Sequence, residues 1–483
     1  MKNQTLSNLG RNVLFSSLFG GLIAILFIYG AGGVAYSERL ADPEEPVLVF
    51  SSYYGGSTHE CQFEICVLTT DPAGNIYIAG STTSDDFPLV DSYSAVFSPG
   101  SGTDIVVVKL EAGTKRVLYS SYIGKGMAQG IAVDAAGNVT VAGFTGDSTF
   151  PTTTNGAQQT FAGGAFDGVL FTLSSDGSEL LYSTFLGGTD RELLFDVEVD
   201  GAGSLYVTGW TASADYPTLN AAQATFGGNT DTVVTKIAPD GSLAYSTFMG
   251  GVNREDGIGL EVDGSGNVVV AGRSASDNFP TTAGAFQTVR DSGAGNDATI
   301  FKLNPAGGLV ASTFYGTVRN TAGVDVGLDS NGNIYVLTIT EGVIKLNGAL
   351  SQLLFQTDLE MTSSIDGEGG LVVDSEGIAF VTGWNGSGID RDVVLAAVGS
   401  GGQLLHYQTV GGSNQDFGYS LSLVEDSNGK KTAFIAGRTQ SADFPVLNPI
   451  QDTLNGTEDI LLIEITNLEN IGPKLLYLPM IGR

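Results

Sequence analysis

The chain has 483 residues, of which 68 are glycine, about twice the usual ~7% share, while 14 prolines and no Gly-x-y period exclude collagen. Acids outnumber bases 52 to 21, and the resulting charge of −31 repels phosphate backbones and excludes nucleic acid as a partner. A 42% hydrophobic content excludes disorder, and only two histidines, His59 and His406, exclude a histidine-rich metal centre.

Residues 1–12 carry Lys2 and Arg11 and no acid, and Val13 to Ala35 are apolar or small. This reads as a secretory signal cut after Ala35 or Ser37. The apolar run of 23 residues also matches the ~20 needed to cross a bilayer, so a retained anchor is the alternative. Either way an N-terminal apolar helix is predicted over 1–37, with a linker over 38–46. The expected location is secreted or in the cell envelope, with membrane contact only through residues 13–35 if they are kept. Cys61 and Cys66 are the only cysteines. Their close spacing in an exported chain predicts a disulfide, with a reduced thiol pair as the alternative. One C-x4-C is a poor zinc site.

A short unit then recurs: Asp, two residues, Gly-Asn, and an alternating apolar strand. It reads DPAGNIYIAGST (71–82), DAAGNVTVAGFT (134–145), DGAGSLYVTGWT (200–211), DGSGNVVVAGRS (263–274) and DSNGNIYVLTIT (329–340). Looser copies begin at Asp374 and Asp426, making seven units. A strand such as YSTFLGG (182–188) or YSTFMGG (245–251) precedes each turn. A third, such as DIVVVKL (104–110) or DTVVTKI (231–237), follows in six units, and the fifth keeps only EGVIKL (341–346). A Phe-Pro or Tyr-Pro loop lies between (Phe87, Phe150, Tyr216, Phe279, Phe444), and units five and six lack it. Asp-x-x-Gly-Asn between apolar runs is a hairpin turn. Four short strands per 45–66-residue step predict an all-β, seven-bladed β-propeller of four-stranded antiparallel blades over 47–467, with a C-terminal tail over 468–483.

These motifs resemble the bacterial SBBP repeat family of seven-bladed propellers. Units three and four are nearest, with YSTFLGG, DGAGSLYVTGWTASADYPT and GGNTDTVVTKI. The resemblance covers 47 to about 467. It implies the fold and little about activity. The copy at 47–56 stands before the first Asp turn, so strand 47–54 is predicted to complete the last blade. LLYLPM (475–480) competes for that edge.

The recurring aspartates read as framework. Asp71, Asp134, Asp200, Asp263 and Asp329 should cap their turns, since an EF-hand loop would need Gly sixth and a closing bidentate acid. Asp104, Asp167, Asp231, Asp297 and Asp459, one per blade, open the third element. No nucleophile elbow, zincin helix or phosphate loop occurs. No catalytic residue, metal or cofactor is assigned, and the chain is expected not to be an enzyme. What varies is the residue after the strand-ending glycine: Ser81, Phe144, Trp210, Arg273, Ile339, Trp384 and Arg438. Phe144, Trp210, Arg273, Trp384 and Arg438 are the candidate ligand-binding residues, a ring on one face suited to stacking on sugars or peptides. Packing between blades is the competing reading. The loops carrying Arg191, Glu192, Arg254, Glu255 and Asp256 read as solvated. The expected function is a monomeric binding scaffold for a protein or glycan ligand. A carbohydrate-active enzyme with carboxylates in the central depression and a purely structural surface protein are the alternatives.

Overall fold

The computed structural model describes residues 45–61, 65–98, 102–291, 295–316, 320–359, 361 and 369–471. The predicted leader helix, most of the linker and the tail beyond 471 lie outside them. The described residues form seven four-stranded antiparallel sheets and one 3-10 turn, Leu468–Asn470. The seven sheets are blades around an axis. The innermost strands, in blade order, are Val67–Thr70, Met127–Val133, Glu192–Val199, Glu255–Val262, Gly323–Leu328, Gly370–Val373 and Asp416–Glu425.

The turn between the first two strands forms as its sequence dictates. Asp71 Oδ1 accepts the N–H groups of Ala73 (3.0 Å) and Asn75 (2.9 Å), and Gly74 takes φ 81°. Asp134, Asp200, Asp263 and Asp329 repeat this cap. The second strand then runs through the middle of its blade, so Leu205–Thr211 and Val268–Ser274 are buried at every residue. Each blade lays that apolar strand against its neighbours and so buries a face that a lone blade would expose.

The ring closes through the chain's first described strand. Val47–Tyr54 pairs antiparallel with Asp459–Thr466, Ser51 facing Ile463, and becomes the outer strand of blade 7. The competing segment, 475–480, lies outside the described residues. Cys61 and Cys66 are joined as a disulfide with Cα atoms 5.8 Å apart. It sits against the second strand of blade 1, where a methyl group on Gly80 would come within 2.7 Å of Cys61 Sγ.

Candidate functional site

The loops that lead into the innermost strands are solvated as expected at 189–191 and 252–254, including Arg191 and Arg254, but not at their acids, Glu192, Glu255 and Asp256. Glu60, Glu192 and Glu255 are fully buried. Each is tied down by the Thr-x-Ser or Ser-x-Ser that ends the adjoining second strand. Thr82 Oγ1 (2.9 Å) and Ser84 Oγ (2.6 Å) donate to Glu60 Oε1, Thr211 (2.5 Å) to Glu192 and Ser274 (2.7 Å) to Glu255. Each glutamate meets the aspartate that opens the third strand of the preceding blade: Asp459, Asp167 and Asp231. Those aspartates also accept backbone N–H groups from their own loops, Ala162 to Asp167 at 2.7 Å and Gly227 to Asp231 at 2.8 Å. They are framework, as expected. Burial raises Glu60 to about 7 and Asp231 to about 7, and it raises Glu192, Glu255, Asp167 and Asp459 as well.

The five candidate ring residues do not form an exposed face. Phe144 is 3% exposed, Trp210 7%, Arg273 2% and Trp384 5%. Trp384 stands edge-on to Phe417 of blade 7, ring centroids 5.0 Å apart. Arg438 lies 4.7 Å over the same Phe417 and pairs with Glu458 at 3.2 Å. Arg273 is ion-paired to Asp256, which Arg254 also holds at 3.0 Å. The Arg191 guanidinium covers Trp210 at 5.9 Å. The glycines before these side chains let strand pairs close up: a methyl group on Gly209 would stand 2.0 Å from Leu193 O.

The central channel is lined by the innermost strands and encloses about 200 Å³. Asp196, Gly259, Asp325, Gly370 and Ser420 hold one register position in blades 3 to 7. Three of them stitch blade to blade. Asp196 Oδ2 accepts Leu260 N–H (2.8 Å), Asp325 Oδ2 accepts Leu371 N–H (2.7 Å), and Ser420 Oγ accepts Leu68 N–H (3.1 Å). The intervening glycines let the strands meet, since a methyl group on Gly259 would stand 2.8 Å from the Asp325 Cα. Glu198 and Glu261 share this channel. Burial, reinforced by repulsion between the acids, pushes Glu261 to about 8 and Glu198 and Asp196 well above the carboxylate range; burial alone takes Asp325 to about 7. Among the described residues no group of three or more His, Cys, Asp or Glu is arranged to hold a metal ion.

The junction between blades 1 and 2 is the shortest in the ring. Five residues connect blades 2 and 3 (187–191) and blades 3 and 4 (250–254), whereas Gly126 alone connects Val117–Lys125 to Met127–Val133. Met127 faces Phe144 as Leu193 faces Trp210, so Gly126 stands where Glu192 would. The missing loop leaves a cleft of about 670 Å³ between blades 1 and 2, within the ~300–1,000 Å³ of ligand sites. Phe144 and Phe166, edge to face at 5.2 Å, form an apolar wall together with Met127. Lys125 and Asp147 supply charge. Thr149 hydrogen bonds hold the Asp147 carboxyl below its usual range, with the Lys125 charge adding to this. Lys125 has no ion pair within 4 Å among the described residues. Phe144 is thus a candidate from the sequence that lines this cleft, while Arg438 is half-buried at its own seam. The signal that points to this place is the shortened GK-GM (124–127) where other units read GG-x-x-x-Glu.

Ring, stitched channel and buried acid pairs together define a seven-bladed β-propeller. The family described as SBBP, beta-propeller repeat, matches residues 68–88, which span the first Asp turn and Phe87-Pro88. The chain is a seven-bladed propeller whose first blade carries a match to this repeat. No curated protein matches it. Among solved structures it is similar to the beta-propeller domain of Cps50 (Swd1) from Myceliophteria thermophila, at 8% identity and a TM-score of 0.45, over 88% of this chain and 100% of that one.

Proposed function

We propose that the chain is an exported, monomeric, non-catalytic binding scaffold that holds a protein or glycan ligand in the cleft between blades 1 and 2. The basic, then apolar, amino terminus supports a secreted or envelope location. The observation that carries the reading is the cleft itself. At this junction the glutamate-bearing loop is missing, and the space it leaves is lined by Phe144, Phe166, Met127 and Lys125, the last with no ion pair among the described residues. Such a mixture suits a ligand with an apolar body and one polar anchor. The channel supports catalysis less well. Its volume of about 200 Å³ lies below that of ligand sites, and two of its four acids are engaged with backbone N–H groups.

The test is capture of ligands from a glycan array and from culture supernatant by the secreted domain. A double variant, Lys125→Glu with Met127→Trp, should fill the cleft and reverse its charge without touching the buried framework. Capture that is lost in the double variant supports the cleft. Capture that survives unchanged removes it.

A further inference from the structure

The outer strands of the blades are of two kinds. In Val117–Lys125, Leu180–Leu186, Leu243–Met249, Leu309–Tyr315 and Val47–Tyr54, five consecutive residues are buried. The Phe-Pro or Tyr-Pro loop of the same blade lies alongside and takes up the edge. Ser120 N–H donates to Val90 O (2.8 Å), Ser246 N–H to Leu219 O (2.8 Å), and Phe314 N–H to Gln287 O (2.9 Å). In three blades the motif serine also donates to the proline carbonyl, as Ser183 does to Pro151 O at 2.6 Å. Blades 5 and 6 lack that loop, and no residue of Leu353–Thr357 or Leu404–Val410 is buried.

The blade 5 edge is the clearer case. Gln356 faces Ile344 as Ser246 faces Thr235, so it stands where the motif serine would. The outward N–H and C=O that Ser246 gives to Leu219 have no backbone partner at Gln356 among the described residues. Leu354, two residues earlier on the same side, is 42% exposed. Exposed edges are ordinarily blunted by lysine, proline or a bulge. This one reads Leu-Leu-Phe-Gln-Thr, with neither charge nor proline, and its one register shift, at Leu354, is the shift that the outer strands of blades 1 to 4 and 6 also carry. Its surroundings are acidic. Asp358 follows the strand, and Glu341 Oε2 accepts the Gln356 side-chain amide at 2.7 Å. A second copy of the chain would bring the same acids and the same −31 charge against them.

We propose that the free edge of blade 5, Leu353–Thr357, takes an extended, lysine- or arginine-bearing segment of a partner protein as a fifth strand. Main-chain hydrogen bonds to Leu354 and Gln356 would supply affinity, and the flanking acids would select a basic occupant. The site lies across the ring from the cleft, so it stands or falls independently of the cleft reading.

The test uses the full chain and three fluorescent ten-residue peptides read by anisotropy. One alternates Val or Thr with Lys, one carries Glu for Lys, and one is the Lys peptide with a central proline. The Lys peptide should bind at least tenfold more tightly than the other two. Leu354→Lys and Gln356→Pro should each weaken it at least tenfold, the first at unchanged melting temperature, the second with some loss of stability because the side-chain bonds to Tyr315 and Glu341 go with the outward N–H. Should Gln356→Pro fail to fold, Leu354→Lys decides. Equal binding of the proline peptide would reduce the effect to net charge and overturn the proposal. Unchanged affinity in the variants would overturn it as well, as would a concentration-dependent dimer that Leu354→Lys abolishes. Lys125→Glu with Met127→Trp should leave peptide binding intact.

Discussion

Glu60 Oε2 and Asp459 Oδ1 converge on one point across the seam that closes the ring: a methyl group on Gly55 would stand 2.5 Å from the first and 2.7 Å from the second. The two acids come from opposite ends of the propeller, and both are fully buried. Glu192 with Asp167, over Gly187, and Glu255 with Asp231, over Gly250, repeat the arrangement. Two adjoining buried carboxylates repel, and one retained proton relieves the repulsion.

Stability should therefore peak in mild acid. Burial raises Glu60, Asp231 and Asp325 to about 7 and Glu261 to about 8. An acid whose folded pKa lies above its unfolded value contributes stability that is full below the unfolded value. That stability is lost as pH climbs toward the folded one. The loss here spans roughly pH 4.5 to 8. On the acid side, Asp147 and Asp263, held low by hydrogen bonds, lose their contribution as pH falls below about 4. Calorimetry from pH 3 to 9 should give a maximum near pH 4–5 and a melting temperature about 5 °C lower at pH 8. Glu60→Gln should flatten the slope between pH 4.5 and 7. A maximum above pH 7 would contradict the acid-pair account.

The double glycine of the repeat is explained by the same geometry. The first glycine lies under the acid pair. The second lies under the next loop, where a methyl group on Gly188 would stand 2.5 Å from Ser213 Cβ. Gly187→Ala should cost about 1–3 kcal/mol by overpacking. Gly201→Ala, with nothing within 4 Å of the added carbon, should be neutral within about 0.5 kcal/mol. Urea unfolding of the two variants measures both. Equal stability would mean that the seams yield more than their closeness implies.

Blade number and ring closure were legible in the chain because their causes are local. Each Asp-x-x-Gly-Asn carries its own cap within four residues, and an orphan strand copy at 47–56 declared the seam. The acid pairs were not legible, because Glu192 finds Asp167 only across a blade boundary. Taken alone, TDRELLF resembles a solvated loop. A regularity was present all the same: GGSTHE, GGTDRE, GGVNRE and GGSNQD place an acid at a fixed distance after two glycines. The residue after the strand-ending glycine varies from unit to unit in the sequence. Its environment depended on how closely the preceding glycines let strands approach, which only the assembled ring determines.

The disulfide should matter modestly. Cys61 and Cys66 close a loop of only a few residues beside blade 1. The chain-entropy contribution for so short a loop is about 2 kcal/mol. Cys61→Ser with Cys66→Ser should lower stability by that amount and leave the circular-dichroism spectrum unchanged. Unfolding at room temperature would show that the cross-link, and not the seam beside it, holds blade 1 in place.

The two tryptophans separate packing from recognition. Trp384 is 5% exposed and wedged edge-on against Phe417 and Tyr419 of the next blade. Trp384→Ala should cost about 3–5 kcal/mol, because it opens a cavity at a blade seam. Trp210 differs in that its buried indole N–H finds no acceptor among the described residues. Leaving such a donor unpaired costs about 1–3 kcal/mol. Trp210→Phe removes the donor and keeps most of the packing, so it should be neutral or stabilising. Denaturant midpoints on the two variants give the comparison directly. If Trp384→Ala instead leaves the midpoint untouched and abolishes ligand capture, that side chain is a recognition group and the inter-blade role assigned to it is wrong.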